Sequence, residues 1–206
     1  MIHPDTELRF VNPDIGYGVF ATRFIPKGTI TWVRDRLDQS FTPEAIDRLP
    51  PAYHDIVLKY SFIDAHGCFV LCWDHARYVN HSCEPTCLSA GYDFELAVRD
   101  IEAGDEVTDD YGSLNLEGGF ECRCGSPRCR SLIRPEDLIT FGAEWDRIVA
   151  EPFSLIPSVP QPLWPFLEEQ EAVEQALARR APASITRNFV DVAALLGAHP
   201  SLARRT

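Results

Sequence analysis

Over its first hundred residues the chain alternates apolar and polar positions in short runs. Glu7-Leu8-Arg9-Phe10-Val11 has the period of two that marks a half-buried strand. Gly16-Tyr17-Gly18-Val19-Phe20-Ala21 follows an Asn-Pro-Asp turn signal. After the Pro26-Lys27-Gly28 turn, Thr29-Ile30-Thr31-Trp32-Val33 is β-branched and aromatic, as strands are. Cys68-Phe69-Val70-Leu71-Cys72-Trp73 is an apolar run of strand length, with Cys68 and Cys72 on one face as core residues. Phe94 to Ile101 alternates again, and Glu106-Val107-Thr108 begins another strand after a turn at Ala103-Gly104-Asp105. Residues 42–59 break this rhythm with a helical insert, capped by Thr42, opened by Pro43 and interrupted at Pro50-Pro51.

From about residue 135 the pattern turns helical. Pro135-Glu136-Asp137 has the early acids of a helix start. Residues 151–162 hold four prolines and read as an irregular linker. Pro165 to Arg180 reads as an amphipathic helix, and Asn188 as the cap of a last helix through Leu196, closed by Gly197. The tail from His199 is expected to fray. The division that follows is a mainly β domain over residues 1–132 and a helical C-terminal extension over 133–206. The extension has three open roles: completing a peptide groove, pairing two copies as a homodimer, or covering the β core.

Composition narrows the setting. With 206 residues, 45% of them hydrophobic, the chain can bury a core of its own. It has no run of about 18 apolar residues, and its first residues lack a signal-peptide layout. The expectation is a soluble intracellular protein, cytoplasmic or nuclear, without membrane contact. Seven cysteines, an odd number, favour metal binding over a disulfide framework in such a compartment. A net charge of −12 is the wrong sign for direct nucleic-acid binding. It suits a basic, lysine-containing peptide drawn in by electrostatic steering.

Three polar clusters carry the chemistry. Arg77-Tyr78-Val79-Asn80-His81-Ser82-Cys83-Glu84-Pro85 is dense in aromatic, amide, imidazole and thiol groups. Glu106-Val107-Thr108-Asp109-Asp110-Tyr111-Gly112 ends a strand. Cys122-Arg123-Cys124-Gly125-Ser126-Pro127-Arg128-Cys129 is a tight thiolate cluster wanting a fourth ligand for a tetrahedral ion; Cys83, Cys87 and the histidines are the candidates. His81 and Cys83 make a poor hydrolase pair, because residues so close cannot easily present base and nucleophile to one carbonyl. Neither G-x-S-x-G nor H-E-x-x-H occurs.

In order along the chain, Gly16-Tyr17-Gly18-Val19-Phe20, Arg77 to Pro85 and Glu106 to Gly112 closely resemble the motifs of SET-domain protein-lysine methyltransferases, and Cys122-x-Cys124-x4-Cys129 resembles the post-SET zinc motif. The resemblance spans roughly residues 6–132. It implies the SET β-clip, a mainly β fold of small curved sheets with a pseudoknot-like core and a short helical insert; the helical C-terminal appendage is read from the pattern after residue 135 and lies outside the resemblance. It implies methyl transfer from S-adenosylmethionine to a lysine side chain in a histone or other basic protein. A catalytically weak SET-like module that binds cofactor or a basic peptide is the alternative.

Carried across position by position, the resemblance assigns Gly16, Tyr17, Gly18, Tyr78, Asn80 and His81 to the cofactor pocket, His81 by its main chain. Tyr111 becomes the residue at the methyl-transfer centre. Asp109 and Tyr111 fall to the lysine channel, and Cys83, Cys122, Cys124 and Cys129 to one structural zinc, with Cys87 a leftover structural thiol. The family's other channel tyrosine has no clear match around Trp32 to Asp35, and Tyr60 or Tyr78 is expected to supply the aromatic wall of the channel instead. Two positions depart from the family. Asp109 stands where a channel-lining Phe or Tyr is usual, and Thr86 where Asn is common.

Overall fold

The computed structural model describes residues 1–197 together with His199 and Leu202. In chain order the elements are β1 (Thr6–Asn12), β2 (Gly16–Ala21), β3 (Ile30–Val33), β4 (Gln39–Phe41), α1 (Pro43–Asp47), α2 (Pro51–Tyr60), β5 (Ser61–Ile63), β6 (Phe69–Leu71) and β7 (Asn80–His81). Then come β8 (Cys87–Ser89), β9 (Phe94–Ala97), β10 (Glu106–Asp109), β11 (Phe120–Glu121), β12 (Leu132–Ile133), α3 (Asp137–Leu155), α4 (Gln170–Arg179) and α5 (Val192–Gly197).

The strands form small separate sheets, as expected of a mainly β fold: β1-β2-β10-β7, β3-β9-β8, β4-β6-β5 and the β11-β12 ribbon. Local chemistry sets the first hairpin. Asn12 Oδ1 accepts from the Asp14 and Ile15 amides at 2.9 Å each, fixing the turn between β1 and β2. Among the described strands one pairing is parallel, β7 alongside β10, with Asn80 opposite Thr108 and His81 opposite Asp109. That pairing brings the first polar cluster against the second. The helical insert forms as read. Thr42 Oγ1 accepts from the Ala45 amide, and the prolines at 50 and 51 separate α1 from α2.

The largest core lies between the β3-β9-β8 sheet and α3. Ile30, Val33, Leu88, Phe94 and Leu96 meet Leu138, Trp145, Val149 and Phe153, all buried. The helix after residue 133 therefore shares its apolar stripe with the sheet. Gly28 sits at the seam with φ +91°, and an added Cβ would lie 2.7 Å from Leu155 Cβ.

Four expectations change here. The proline-rich segment is not a linker at its start, because α3 runs through Pro152 to Leu155. Pro152 falls in the last turn, where burial of Val149, Phe153 and Ile156 outweighs one lost backbone bond. Beyond it, Gln161 is pinned, accepting from the Ile30 amide at 2.9 Å and donating to Gly28 O at 2.7 Å. The next helix starts at Gln170, not Pro165, because residues 164–166 form a separate 3₁₀ turn. Asn188 ends a 3₁₀ turn instead of capping α5, whose first turn is capped by Asp191 accepting from the Ala194 amide. The strands around Phe69 and Phe94 are shorter than their apolar runs, with Cys72 buried and Cys68 half-buried. Apart from His199 and Leu202, the tail expected to fray lies outside the described residues.

Candidate active site and metal cluster

The candidate site is built where β10 ends. Asp110 is fully buried and caps the 3₁₀ turn Tyr111–Ser113, its Oδ1 accepting from the Gly112 amide at 3.0 Å. The turn presents Tyr111 to β7. The Tyr111 hydroxyl donates to Val79 O at 2.6 Å, and the Tyr111 amide donates to His81 Nδ1 at 3.0 Å. From the β7 side, the Ser82 amide donates to Asp109 O at 2.9 Å. Tyr111 is thus fixed at both its main chain and its ring tip by the strand beside it.

On the β2 side, Asn80 Nδ2 donates to Tyr17 O at 3.1 Å and to Glu106 Oε1 at 2.7 Å. The approach is so close that a Cβ at Gly18 would sit 2.3 Å from Glu106 Oε1 and 2.9 Å from Asn80 Nδ2. Gly18 is therefore demanded by the packing of a polar cradle. Tyr78 joins the aromatic rings. It meets Tyr17 edge-on at 6.1 Å and Tyr60 edge-on at 5.3 Å. Tyr17, Gly18, Tyr60, Tyr78 and Asn80 accordingly form one linked neighbourhood, continued along β7 by His81 and its partner Tyr111, while Gly16 pairs with Asn12 at the hairpin end.

Asp109 is buried below the turn, its Oδ1 accepting from the Asp110 amide at 2.6 Å. Burial raises its carboxyl well above the usual range, and the Asp110 charge adds to the rise. Thr86 has its own account. It is buried against Thr108, donating through Oγ1 to Thr108 O at 3.2 Å and accepting from the Thr108 amide at 2.8 Å, so its hydroxyl ties β8 to β10.

The cysteine cluster lies beside His81. Cys83 Sγ is 3.8 Å from Cys122 Sγ, and Cys129 Sγ is 3.6 Å from Cys122 Sγ. Four sulfurs around an ion at metal–sulfur distances of about 2.3 Å stand about 3.8 Å apart, so these spacings fit a tetrahedral thiolate site. Burial opposes the Cys124 thiolate, but the Cys83 and Ser126 amides and neighbouring thiols bring it down to about 7. Donor atoms of His81, Cys83, Cys122 and Cys124 all lie within 4.8 Å of one another, so the ring nitrogen competes with Cys129 as a ligand. Its hydrogen bonds argue against that role. His81 Nδ1 accepts from the Tyr111 amide, which leaves the ring proton on Nε2, 3.3 Å from Cys83 Sγ. Burial also lowers the His81 pKa, keeping the ring neutral. His81 then donates to a thiolate that the cluster already uses, the outer-shell arrangement common around metals. Cys87 stands apart, buried and accepting from Thr31 Oγ1 at 3.2 Å.

Sequence reading missed three residues here. Glu106 holds Asn80, and Arg130 holds Asp110 through two bonds of 2.6 Å. Glu95 lies inside the β9 strand. Glu95 had a visible signal, an acid in the apolar run Phe94-Glu95-Leu96-Ala97. Arg130 had none beyond following Cys129.

The sequence profile of the SET domain family matches residues 16–112. Curated relatives agree. Histone-lysine N-methyltransferase ash1 of Drosophila melanogaster is 31% identical over 139 residues, covering 61% of this chain and 6% of its own length. Histone-lysine N-methyltransferase trithorax of Drosophila virilis is 40% identical over 65 residues, covering 28% of this chain and 2% of its own length. The chain therefore spans a small part of the relatives it matches. A solved Plasmodium falciparum structure overlays 53% of this chain and 95% of its own, with 19% identity and a TM-score of 0.39. The profile match opens at Gly16, where β2 begins, and closes at Gly112, in the turn that carries Tyr111; residues 16–112 of this chain are a SET domain.

Proposed function

We propose that this chain is a protein-lysine N-methyltransferase that moves a methyl group from S-adenosylmethionine to a lysine side-chain amine in a basic protein such as a histone. The observation that carries this reading is the seating of Tyr111 against β7 through both its hydroxyl and its amide. When bound, the donor supplies an electrophilic methyl group on a sulfonium centre.

The chain's own residues bind, orient and exclude water. Gly16, Tyr17, Gly18, Tyr78, Asn80 and His81 form the donor pocket in this reading, with Asn80 locking the Tyr17 carbonyl in place. Tyr60, Asp109 and Tyr111 belong to the lysine channel. The Tyr111 hydroxyl donates to Val79 O, and in this reading its oxygen also accepts from the substrate amine and orients it. A free lysine has a pKa of about 10.4, and a desolvated channel beside a cation shifts it toward the neutral amine that can attack.

Cys83, Cys122, Cys124 and Cys129 hold one structural zinc in this reading, without an open position for water. The ion ties the β11-β12 ribbon to Cys83, two residues from His81. The net charge of −12 favours a basic partner, and the names of the relatives point to histones. No helix among the described residues is long and apolar enough to cross a membrane. A nuclear or cytoplasmic partner suits the proposal.

The test is tritiated methyl transfer to histones, ribosomal proteins and a cell lysate. Label in a basic protein, lost by orders of magnitude in Tyr111→Phe with the fold intact, is expected. Donor binding by calorimetry with no label in any pool would leave only the binding-module reading.

A further inference from the structure

Shortly after Tyr111 the chain buries an amide whose bonding capacity is fully spent. Asn115 is 8% exposed, and its side chain bonds only to main chain in the contacts it makes here. Nδ2 donates to Ile63 O at 3.0 Å and to Asn188 O at 2.7 Å, and Oδ1 accepts from the Val190 amide at 2.9 Å. Both N–H donors are used, and a buried amide satisfied in this way holds its partners at fixed separations.

These partners come from distant parts of the chain. Asn115 itself follows the Tyr111–Ser113 turn, which the Leu114 amide closes by donating to Tyr111 O at 3.1 Å. Ile63 ends β5, the strand that begins directly after Tyr60, and it bridges Asn115 in an antiparallel sense. Asn188 and Val190 belong to the C-terminal extension, outside the matched residues 16–112.

The extension is anchored on both sides of this node. Before it, Ile185 is buried in the core beneath α3, and its amide donates to Asp146 Oδ1 at 2.8 Å. Thr186 sits so close to α3 that a Cβ at Gly142 would lie 2.4 Å from its Cγ2. After it, Val192 of α5 is buried with Ile46 and Val57 of the helical insert and with Ile63 and Phe69 of the adjoining sheet. From Ile185 to Val192 the chain therefore runs as a strap from α3 to the insert, and Asn115 is where the strap meets the Tyr111 turn.

We infer that Asn115 is a positioning residue through which the C-terminal strap fixes the offset between the Tyr111 turn and the segment from Tyr60 to Ile63, and with it the width of the lysine channel. This deepens the methyltransferase reading and rests on it. The donor pocket stands on β2 and β7, which pair with β10, so the lysine side and the donor side respond differently when the node is cut.

Two variants of the full zinc-loaded chain test this. Asn115→Ala removes all three bonds. Val190→Pro removes only the amide that donates to Asn115 Oδ1, and it keeps the inference testable if Asn115→Ala does not fold. Phe189 has φ −63° and ψ 132°, the conformation a residue before proline prefers, so the strap can accept the change. With histones as methyl acceptor, kcat is expected to fall about tenfold in Asn115→Ala and about threefold in Val190→Pro, while the S-adenosylmethionine Kd from calorimetry stays within about twofold of wild type. A node that serves folding alone would lower the melting temperature and leave kcat and KM of the folded protein unchanged; that result overturns the inference. Amide hydrogen exchange supplies a readout that needs no turnover. Val190→Pro should speed exchange at Ser113 and Leu114, whose amides close the Tyr111 turn, and leave the Ser82 amide at its wild-type rate. Wild-type exchange at Ser113 and Leu114 would also overturn it. Faster exchange there in a protein that labels no histone would sustain the strap's hold on the turn while removing the transferase reading.

Discussion

Arg130 grips Asp110 with both prongs of its guanidinium, Nη1 to Oδ2 and Nη2 to Oδ1, each at 2.6 Å. Asp110 is the cap of the Tyr111 turn and is fully buried. The same guanidinium lies 3.6 Å from Asp137 at the start of α3, and 5.1 Å and 5.9 Å from the Phe141 and Trp145 ring centres. Its own amide donates to Cys83 Sγ at 3.4 Å. One side chain therefore joins the Tyr111 turn to the C-terminal helix, while its backbone touches the cysteine cluster.

Arg130→Met should destabilise the fold by about 3 kcal/mol, because it leaves the Asp110 carboxylate buried without its partner. Arg130→Lys should recover only part of that, since a point charge cannot reproduce a planar two-bond fork. Urea unfolding followed by tryptophan fluorescence reads both. A loss below about 1 kcal/mol for the Met variant would place the pair among weak surface contacts.

Metal content gives an independent check on the cluster beside His81. About one zinc per chain is expected by elemental analysis. Cys124→Ser should lose it and expose the 120–133 segment to protease, because that ribbon has only two short paired strands of its own. His81→Ala should keep the zinc, because the ring donates to Cys83 from outside the ligand set. Loss of zinc in His81→Ala would make the histidine a ligand in place of Cys129.

Much of the site was legible because its groups sit in short contiguous runs. Asn80, His81 and Cys83 are near neighbours in sequence, and so are Asp109, Asp110 and Tyr111. Arg130 was not legible, because its role exists only once distant segments close on one another. Pro152 misled for a related reason. A proline breaks an isolated helix, but Val149, Phe153 and Ile156 bury enough apolar surface to carry α3 past it. The strand ends around Cys68 and Ile101 were misplaced because an apolar run marks burial, and burial continues where pairing stops.

Ser131 offers a stabilising change. It follows Arg130 with φ +63°, a left-handed conformation that a side chain makes costly. Ser131→Gly should stabilise the protein by up to about 1 kcal/mol, net of the extra entropy that glycine gives the unfolded chain. Thermal unfolding of the zinc-loaded protein measures this. A lower melting temperature would mean that the serine side chain contributes more than its backbone strain removes.

The Glu95 carboxyl also predicts how stability depends on pH. Burial and the Asp109 charge raise its folded-state pKa above the ordinary 4.5. The folded protein then holds a proton that the unfolded chain has released, so stability falls as pH rises above about 4.5 and levels off above the folded-state value. Each proton held this way contributes a slope of about 1.4 kcal/mol per pH unit. Asp109 is raised in the same direction, so it adds to the slope and does not cancel it. Glu95→Gln should flatten the fall in stability above about pH 4.5 and leave the variant more stable than wild type once the curve has levelled off. Urea unfolding at several pH values, with zinc saturating throughout, separates this from metal loss. Parallel curves for wild type and variant would mean that Glu95 is ionised and solvated in the folded protein.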